Sequence, residues 1–242
     1  MDVAERVQDN MNALAENVYP GRGIVIGLTP DRRSFVQVYW IMGRSENSRN
    51  RVFVREADTV RTRAWDESKL EDPSLSIYRC VRSFPGCHVV SNGDQTDTIF
   101  DAMKAGGNFE DALFTRTFEP DPPNYTPRIA GVVDLNDPTH AYKLAIIKAI
   151  ANDGAHCARH VFNYETPIGG VGHCVTTYSG DGAPLPSFRG EPYMVETLDD
   201  PAELARLYWE ALNEENKVSL LVKFIDVESE RTRIEIINKH EV

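Results

Sequence analysis

The sequence predicts an α+β fold: two stacked antiparallel sheets with helices on the outside. Three observations carry this. Apolar β-rich runs come in pairs joined by turn residues, and the helical segments fall into two separate groups rather than alternating with strands. Roughly ten or more strands are then too many for one open twisted sheet in a chain of 242 residues.

Val3, Val7, Met11, Leu14 and Val18 fall at helical spacing, so residues 2–17 read as an amphipathic helix that Pro20-Gly21 ends. The runs Gly23–Leu28 and Phe35–Met42 form a hairpin around Thr29-Pro30-Asp31-Arg32-Arg33. Arg51–Glu56 pairs with Thr59–Trp65 across Asp58, and Ser76–Arg82 pairs with Cys87–Ser91 across Pro85-Gly86. Helices follow over 94–105 and 108–117, the first ended by Gly106-Gly107 and the second capped by Asn108. Glu119-Pro120-Asp121-Pro122-Pro123 is a rigid connector, because each proline removes a donor and fixes φ.

Ile129–Val133 is an apolar buried strand. Tyr142–Ile150 and Ala155–Tyr164 flank Asn152-Asp153-Gly154, where Asp-Gly signals a hairpin. His173–Tyr178 reads as a strand and Gly180–Pro192 as a looser Pro/Gly-rich stretch. A helix at 200–213 and the strands Val218–Val227 and Arg231–Ile237 close the chain. With no repeat, low-complexity tract or linker, residues 1–242 are expected to form one domain, with 1–20 as a helical extension.

A hydrophobic content of 41% with 26% charged residues is that of an ordinary globular protein, and no run approaches the roughly 18–20 apolar residues of a membrane span. The N-terminus lacks a basic segment followed by an apolar one, so the expected compartment is the cytoplasm and no membrane partner is expected. A net charge of −11 argues against nucleic acid as a partner. It does not exclude a phosphorylated small molecule, since Arg44, Arg49 and Arg51 lie close together in sequence. The four cysteines show no C-x-x-C spacing and read as free thiols. Composition leaves a homo-oligomer open.

The most informative stretch is Val89–Asp101, VVSNGDQTDTIFD. An apolar strand ends in Ser-Asn-Gly, and short polar side chains at once open a helix. Such oxygen and amide groups around a strand-to-helix turn suit a polar small molecule. Asn, Asp and Thr are also standard capping residues, but capping explains one or two of them and not all of Asn92, Asp94, Thr96 and Asp97. The helix N-terminal amides could also receive phosphate.

This segment, with Tyr78-Arg79-Cys80-Val81-Arg82 before it and Thr126-Pro127-Arg128-Ile129-Ala130 after it, resembles the archaeal-type IMP cyclohydrolase family. The likeness runs from about Gly23 to Tyr178 and includes Arg51. It is weak over the N-terminal helix and Thr139–Tyr164, and it does not reach the C-terminal quarter. Arg44–Arg51 is two residues longer than the family's arginine stretch, so either Arg51 or Arg49 could be the matching arginine.

The resemblance implies a four-layer αββα sandwich similar in fold to the N-terminal nucleophile hydrolases. It implies ring closure of 5-formamidoimidazole-4-carboxamide ribotide to inosine monophosphate, with no cofactor and no metal. That reaction needs two arms of one substrate held in a reactive rotamer, a cation for the developing oxyanion, and an acid/base. By resemblance Arg51, Tyr78 and Glu119 carry those catalytic tasks, with Asp121 a rival to Glu119. Asn92, Asp94, Thr96, Asp97 and Arg128 would bind substrate, although an ion pair explains Arg128 nearly as well. Two other readings stay open: an amide hydrolase of the same fold on another substrate, and a non-catalytic nucleotide-binding protein. The first would need a nucleophile such as Cys80 or Cys174 beside His88 or His173. His156-Cys157-x-x-His160 and His173-Cys174 invite a zinc site, but on one strand His156 and His160 share a face while Cys157 points away, so the ligands would not converge and none is expected.

Overall fold

The computed structural model describes residues 2–70 and 73–240. The chain runs α1 (Val3–Glu16), β1 (Gly23–Leu28), β2 (Ser34–Met42), a one-turn α2 (Glu46–Arg49), β3 (Val52–Glu56), β4 (Thr59–Arg63), β5 (Arg79–Phe84) and β6 (Cys87–Ser91). It continues through α3 (Gln95–Lys104), α4 (Phe109–Phe114), β7 (Arg128–Asp134), β8 (Tyr142–Ile150), β9 (Asp153–Tyr164) and β10 (Val171–Thr176). The last elements are β11 (Tyr193–Glu196), α5 (Pro201–Ala211), β12 (Lys217–Asp226) and β13 (Thr232–Asn238).

The strands build two antiparallel sheets, ordered β11-β10-β1-β2-β12-β13 and β3-β4-β5-β6-β7-β8-β9. Side chains alternate across each strand, and this sorts the apolar residues into three layers of core. Ile24, Ile26, Tyr39, Ile41, Leu221 and Ile225 of the first sheet meet Val81, Val90, Ile129 and Leu144 of the second. The opposite face of the first sheet packs Trp40, Val38 and Leu220 against Met11 and Leu14 of α1 and Leu204 and Tyr208 of α5. The far face of the second packs Val89 and Val132 against Ile99 of α3 and Phe109 and Leu113 of α4. The layers are therefore helix, sheet, sheet, helix. No helix among the described residues is long and apolar enough to cross a membrane.

Several boundaries differ from the sequence reading. The β8–β9 turn is centred on Ala151 and Asn152, both at positive φ, with Ile150 facing Asp153; Gly154 lies inside the strand. That glycine serves a close approach instead of the turn, because a Cβ there would stand 2.7 Å from the Tyr125 ring. Arg51 and Tyr78 each fall just ahead of a strand rather than within one. The four-residue β11 and the single turn of α2, which a Ser45 capping box begins, are too short for periodicity to reveal. The helix expected at 200–213 is shorter: Asp200 caps it, Pro201 opens it, and it ends at Ala211.

Candidate active site

Arg22 stands one residue ahead of β1, where continued alternation gives it the parity of the inward-facing Ile24 and Ile26. The glycines on either side let the strand sit close to its neighbours. A Cβ at Gly23 would lie 2.0 Å from the Trp40 ring, and one at Gly21 would lie 2.2 Å from Thr177 Oγ1. Arg22 Nη1 donates to Glu119 Oε2 at 3.4 Å, and both side chains are largely buried.

Glu119 is held there by its backbone, whose N–H donates to the Thr126 carbonyl at 2.9 Å. Burial pushes its carboxyl above the usual range; Arg22, Arg128 and Arg51 oppose that push, and Asp121 adds to it. Burial works against the charge of Arg22 as well, but Glu119 and the tyrosines Tyr78, Tyr178 and Tyr39 hold its pKa above normal. Asp121 is committed elsewhere: it accepts from the Thr126 N–H at 2.6 Å and from the Thr126 hydroxyl, which also bonds Tyr178 Oη at 2.6 Å.

Arg51 joins the same cluster. Its Nε donates to the Ser48 carbonyl at 2.9 Å, and its pKa is lowered by burial and by Arg22. Tyr78 Oη and Tyr39 Oη share a hydrogen bond of 2.7 Å, and burial raises both phenols, so both stay neutral. The backbone of Tyr78 is clamped by Thr62, which accepts its N–H at 2.9 Å and donates to its carbonyl at the same distance. Two guanidiniums, one carboxyl and neutral phenols thus leave an excess of positive charge between the sheets. Arg49 lies outside: its Nε donates to the Gly43 carbonyl at 2.9 Å and its Nη2 to Asn216 Oδ1 at 3.0 Å. Arg44 pairs with Asp181 and lies 5.0 Å over the Tyr19 ring, which stacks on Tyr178. Tyr178 also lines a cavity of about 320 Å³ between α1 and the Thr176–Tyr193 segment.

The turn after β6 forms a second constellation. Asn92 is fully buried; its Oδ1 accepts from the Ile129 N–H and from Gln95 Nε2, both at 2.8 Å, and its Nδ2 donates to the Pro127 carbonyl at 2.9 Å. Thr96 bonds the Gly93 carbonyl and the Ser91 hydroxyl. Arg128 donates to Asp94 Oδ1 at 2.7 Å, Gln95 Oε1 at 2.6 Å and the Thr117 carbonyl at 2.9 Å, while Arg116 closes on the other Asp94 oxygen. Arg128 is the link between the two constellations, since its charge acts on Glu119. Asp97 faces away from both toward β5, paired with Arg79 at 3.0 Å and Arg82 at 2.8 Å.

The histidines and cysteines are dispersed. His156 lies 3.6 Å from Asp153, and His173 Nδ1 shares a 2.6 Å bond with Tyr142 Oη. Cys80 Sγ donates to the Val60 carbonyl at 3.3 Å, with its thiol pushed up by burial. Sequence reasoning missed Arg22; the available signal was an arginine between two glycines at the mouth of the first core strand.

The IMP cyclohydrolase-like protein family matches residues 19–230, which covers all of these side chains. The chain belongs to that family. The family match extends through β12, well past the reach of the motif resemblance, and leaves α1 outside. An IMP cyclohydrolase of Methanopyrus kandleri is 29% identical over 190 residues, 77% of this chain and 86% of that protein. One of Methanocella arvoryzae is 34% identical over 120 residues, and one of Methanothrix thermoacetophila is 35% identical over 122. Each of those two alignments takes in 48% of this chain and 58% of the relative's length.

Proposed function

We propose that the chain is an IMP cyclohydrolase, acting in the cytoplasm as one domain on a purine ribonucleotide and closing 5-formamidoimidazole-4-carboxamide ribotide to inosine monophosphate. The observation that carries this is Glu119, buried beside Arg22 with its pKa raised. Burial makes the protonated form of this carboxyl easier to reach than in an ordinary glutamate, which suits a group that both takes and returns a proton. The four-layer sandwich is read as nucleophile-hydrolase-like, and the chemistry uses no terminal nucleophile.

In this reading the carboxamide nitrogen attacks the formyl carbon of the same substrate, and water is then lost. Holding the two arms together is worth on the order of 7–11 kcal/mol. Arg51 and the Tyr78 hydroxyl meet the developing oxyanion, at about 3–4 kcal/mol for each donor. Glu119 takes a proton from the attacking carboxamide nitrogen and then one from the formamide nitrogen, delivering each to the oxygen that departs as water, and Arg22 holds Glu119 in place. Arg128 faces the substrate anion with Asp94 orienting it. Asn92 and Thr96 position that turn, and Asp97 is assigned to its rim.

Incubation of the protein with the formamido ribotide, followed by absorbance of inosine monophosphate, tests the reading directly. Formation of product that Glu119→Gln slows by about two to four orders of magnitude is expected. Tight product binding without turnover would favour the nucleotide-binding alternative.

A further inference from the structure

A second polar cluster sits in the inter-sheet layer, toward the opposite ends of the same strands. On β2, Gln37 shares the inner face with Phe35 and Tyr39; on β12, Lys223 shares it with Leu221 and Ile225. Gln37 and Lys223 are register partners. On the facing sheet, His88 shares the inner face of β6 with Val90, and Gln37 Nε2 crosses to donate to the His88 carbonyl at 2.9 Å.

Among the described residues, four buried atoms here have no hydrogen-bond partner: Lys223 Nζ, both ring nitrogens of His88 and Gln37 Oε1. Lys223 is fully buried and His88 only 4% exposed. An isolated orphan can be tolerated, but an unpaired ammonium in an apolar layer is costly. Several orphans on register partners and on the strand facing them indicate a group that they receive. Of these residues His88 lines a cavity of about 510 Å³, together with Ser83, Asp58, Glu230, Arg231 and Thr232, while Lys223 and Gln37 lie behind it.

The chemistry of that group follows from which atoms are spent. Asp58 Oδ1 accepts from Thr232 Oγ1 at 3.2 Å, and Glu230 Oε2 accepts from the Gly86 N–H at 2.9 Å. Each carboxylate at the mouth thus has one oxygen engaged and keeps its charge, so the anion must be held by the cations and donors behind them. Burial disfavours the charge of Lys223, Asp58 and Cys87 favour it and Arg55 opposes it, and Arg231 adds a further cation at the mouth. What remains unspent is three ammonium N–H donors and one imidazole N–H, against two acceptors, Gln37 Oε1 and the other imidazole nitrogen.

We infer that this end of the sandwich is a second binding site, for a small oxyanion that carries its own hydroxyl, such as hydrogen phosphate or a short hydroxycarboxylate. Its oxygens accept from Lys223 Nζ and the His88 ring, and its O–H donates to Gln37 Oε1. The site is built from residues other than Arg22, Arg51, Tyr78 and Glu119, so it stands whether or not the chain closes a purine ring.

The test reads His88 itself. Imidazole resonances of the intact protein are followed by NMR during titration with inorganic phosphate, with lactate and with acetate, against chloride at equal ionic strength. His88 is assigned by its loss in His88→Gln. A saturable shift of the His88 signal is expected with phosphate or lactate, and a weaker one with acetate, which lacks the hydroxyl. Saturation by only one of the first two identifies the source of the oxyanion. The shift should vanish in Lys223→Met, which keeps the volume and removes the charge. Thermal unfolding supplies a second readout. At about ten times the dissociation constant the wild type should gain roughly 3–5 °C, and Lys223→Met nothing. An unmoved His88 signal at tens of millimolar of both probes, or an equal shift in Lys223→Met, overturns the site and leaves water as the partner of these atoms.

Discussion

Glu119 and Asp94 are both carboxylates beside arginines, but Glu119 is 2% exposed between the sheets whereas the Asp94 side chain is 52% exposed at the outer turn. Burial raises Glu119 above its ordinary value of 4.5 despite Arg22. At Asp94 burial also pushes upward, but Arg116 and Arg128 outweigh it and bring the group below 3.8. Their linkage to stability therefore has opposite sign. Glu119 contributes stability that is present below 4.5 and lost as pH rises through its folded value. Asp94 contributes stability that is present above 3.8 and lost as pH falls through its own. The comparison teaches that an arginine–carboxylate pair is a tuned proton carrier where desolvation wins and a strut where pairing wins.

Glu119→Gln tests the first half of that statement and should have the largest effect. The shape stays and the titrating group goes, so kcat should fall about 10²–10⁴-fold with the affinity for inosine monophosphate little changed. Steady-state absorbance assays and calorimetry measure the two quantities. Near-normal turnover would remove the proton-carrier role from Glu119.

Arg22→Gln breaks the pair from the other side. Losing one partner of a buried pair costs about 3–5 kcal/mol in stability, which denaturant unfolding reads. Because Arg22 lowers the pKa of Glu119, its removal should move the acidic limb of the kcat/KM profile to higher pH. A limb that stays in place would mean that Glu119 does not titrate in the reaction.

Asn92→Ala probes the strut side. Three buried hydrogen bonds are lost and the Ile129 N–H is left unpaired. Unfolding should show a loss of about 2–4 kcal/mol, with kcat/KM of the folded protein reduced less than about tenfold. Unchanged stability with a hundredfold or greater loss of kcat/KM would place Asn92 against the substrate and erase the division between the two regions.

The layered architecture was legible in the sequence because near-continuous apolar runs such as Phe35–Met42 and Val218–Val227 mark strands buried on both faces, and turn residues join such runs in pairs. The β8–β9 turn was mis-centred because Gly154 carries the same signal for a close approach to Tyr125 that it would carry for a turn. Arg51, Tyr78 and Glu119 could be singled out from motif likeness. Their grouping around Arg22 could not, since it depends on how two sheets stack and which ends of their strands coincide. Lys223 and Gln37 were invisible for a related reason. Each is one polar letter in an apolar strand, and only the parity of the pleat turns it inward. At Val89–Asp101 the same residue types signal both caps and ligand contacts, and composition does not separate a spent amide from a free one.

The smallest effect should come from Asp97→Asn. Its bonds go to Arg79 and Arg82 over β5, and the side chains of Asp97, Arg79 and Arg82 are 37%, 52% and 22% exposed. Solvent-exposed pairs of this kind contribute about 0–1 kcal/mol, and salt screens them. The variant should therefore unfold within about 1 kcal/mol of the wild type, with that gap closing as sodium chloride is added. KM should stay within about twofold, because the removed charge faces arginines rather than substrate. A tenfold rise in KM with kcat unchanged would instead reveal a uniform binding contact. Asp97 would then hold a ribose hydroxyl, and the outer face of α3 would belong to the same site as Glu119.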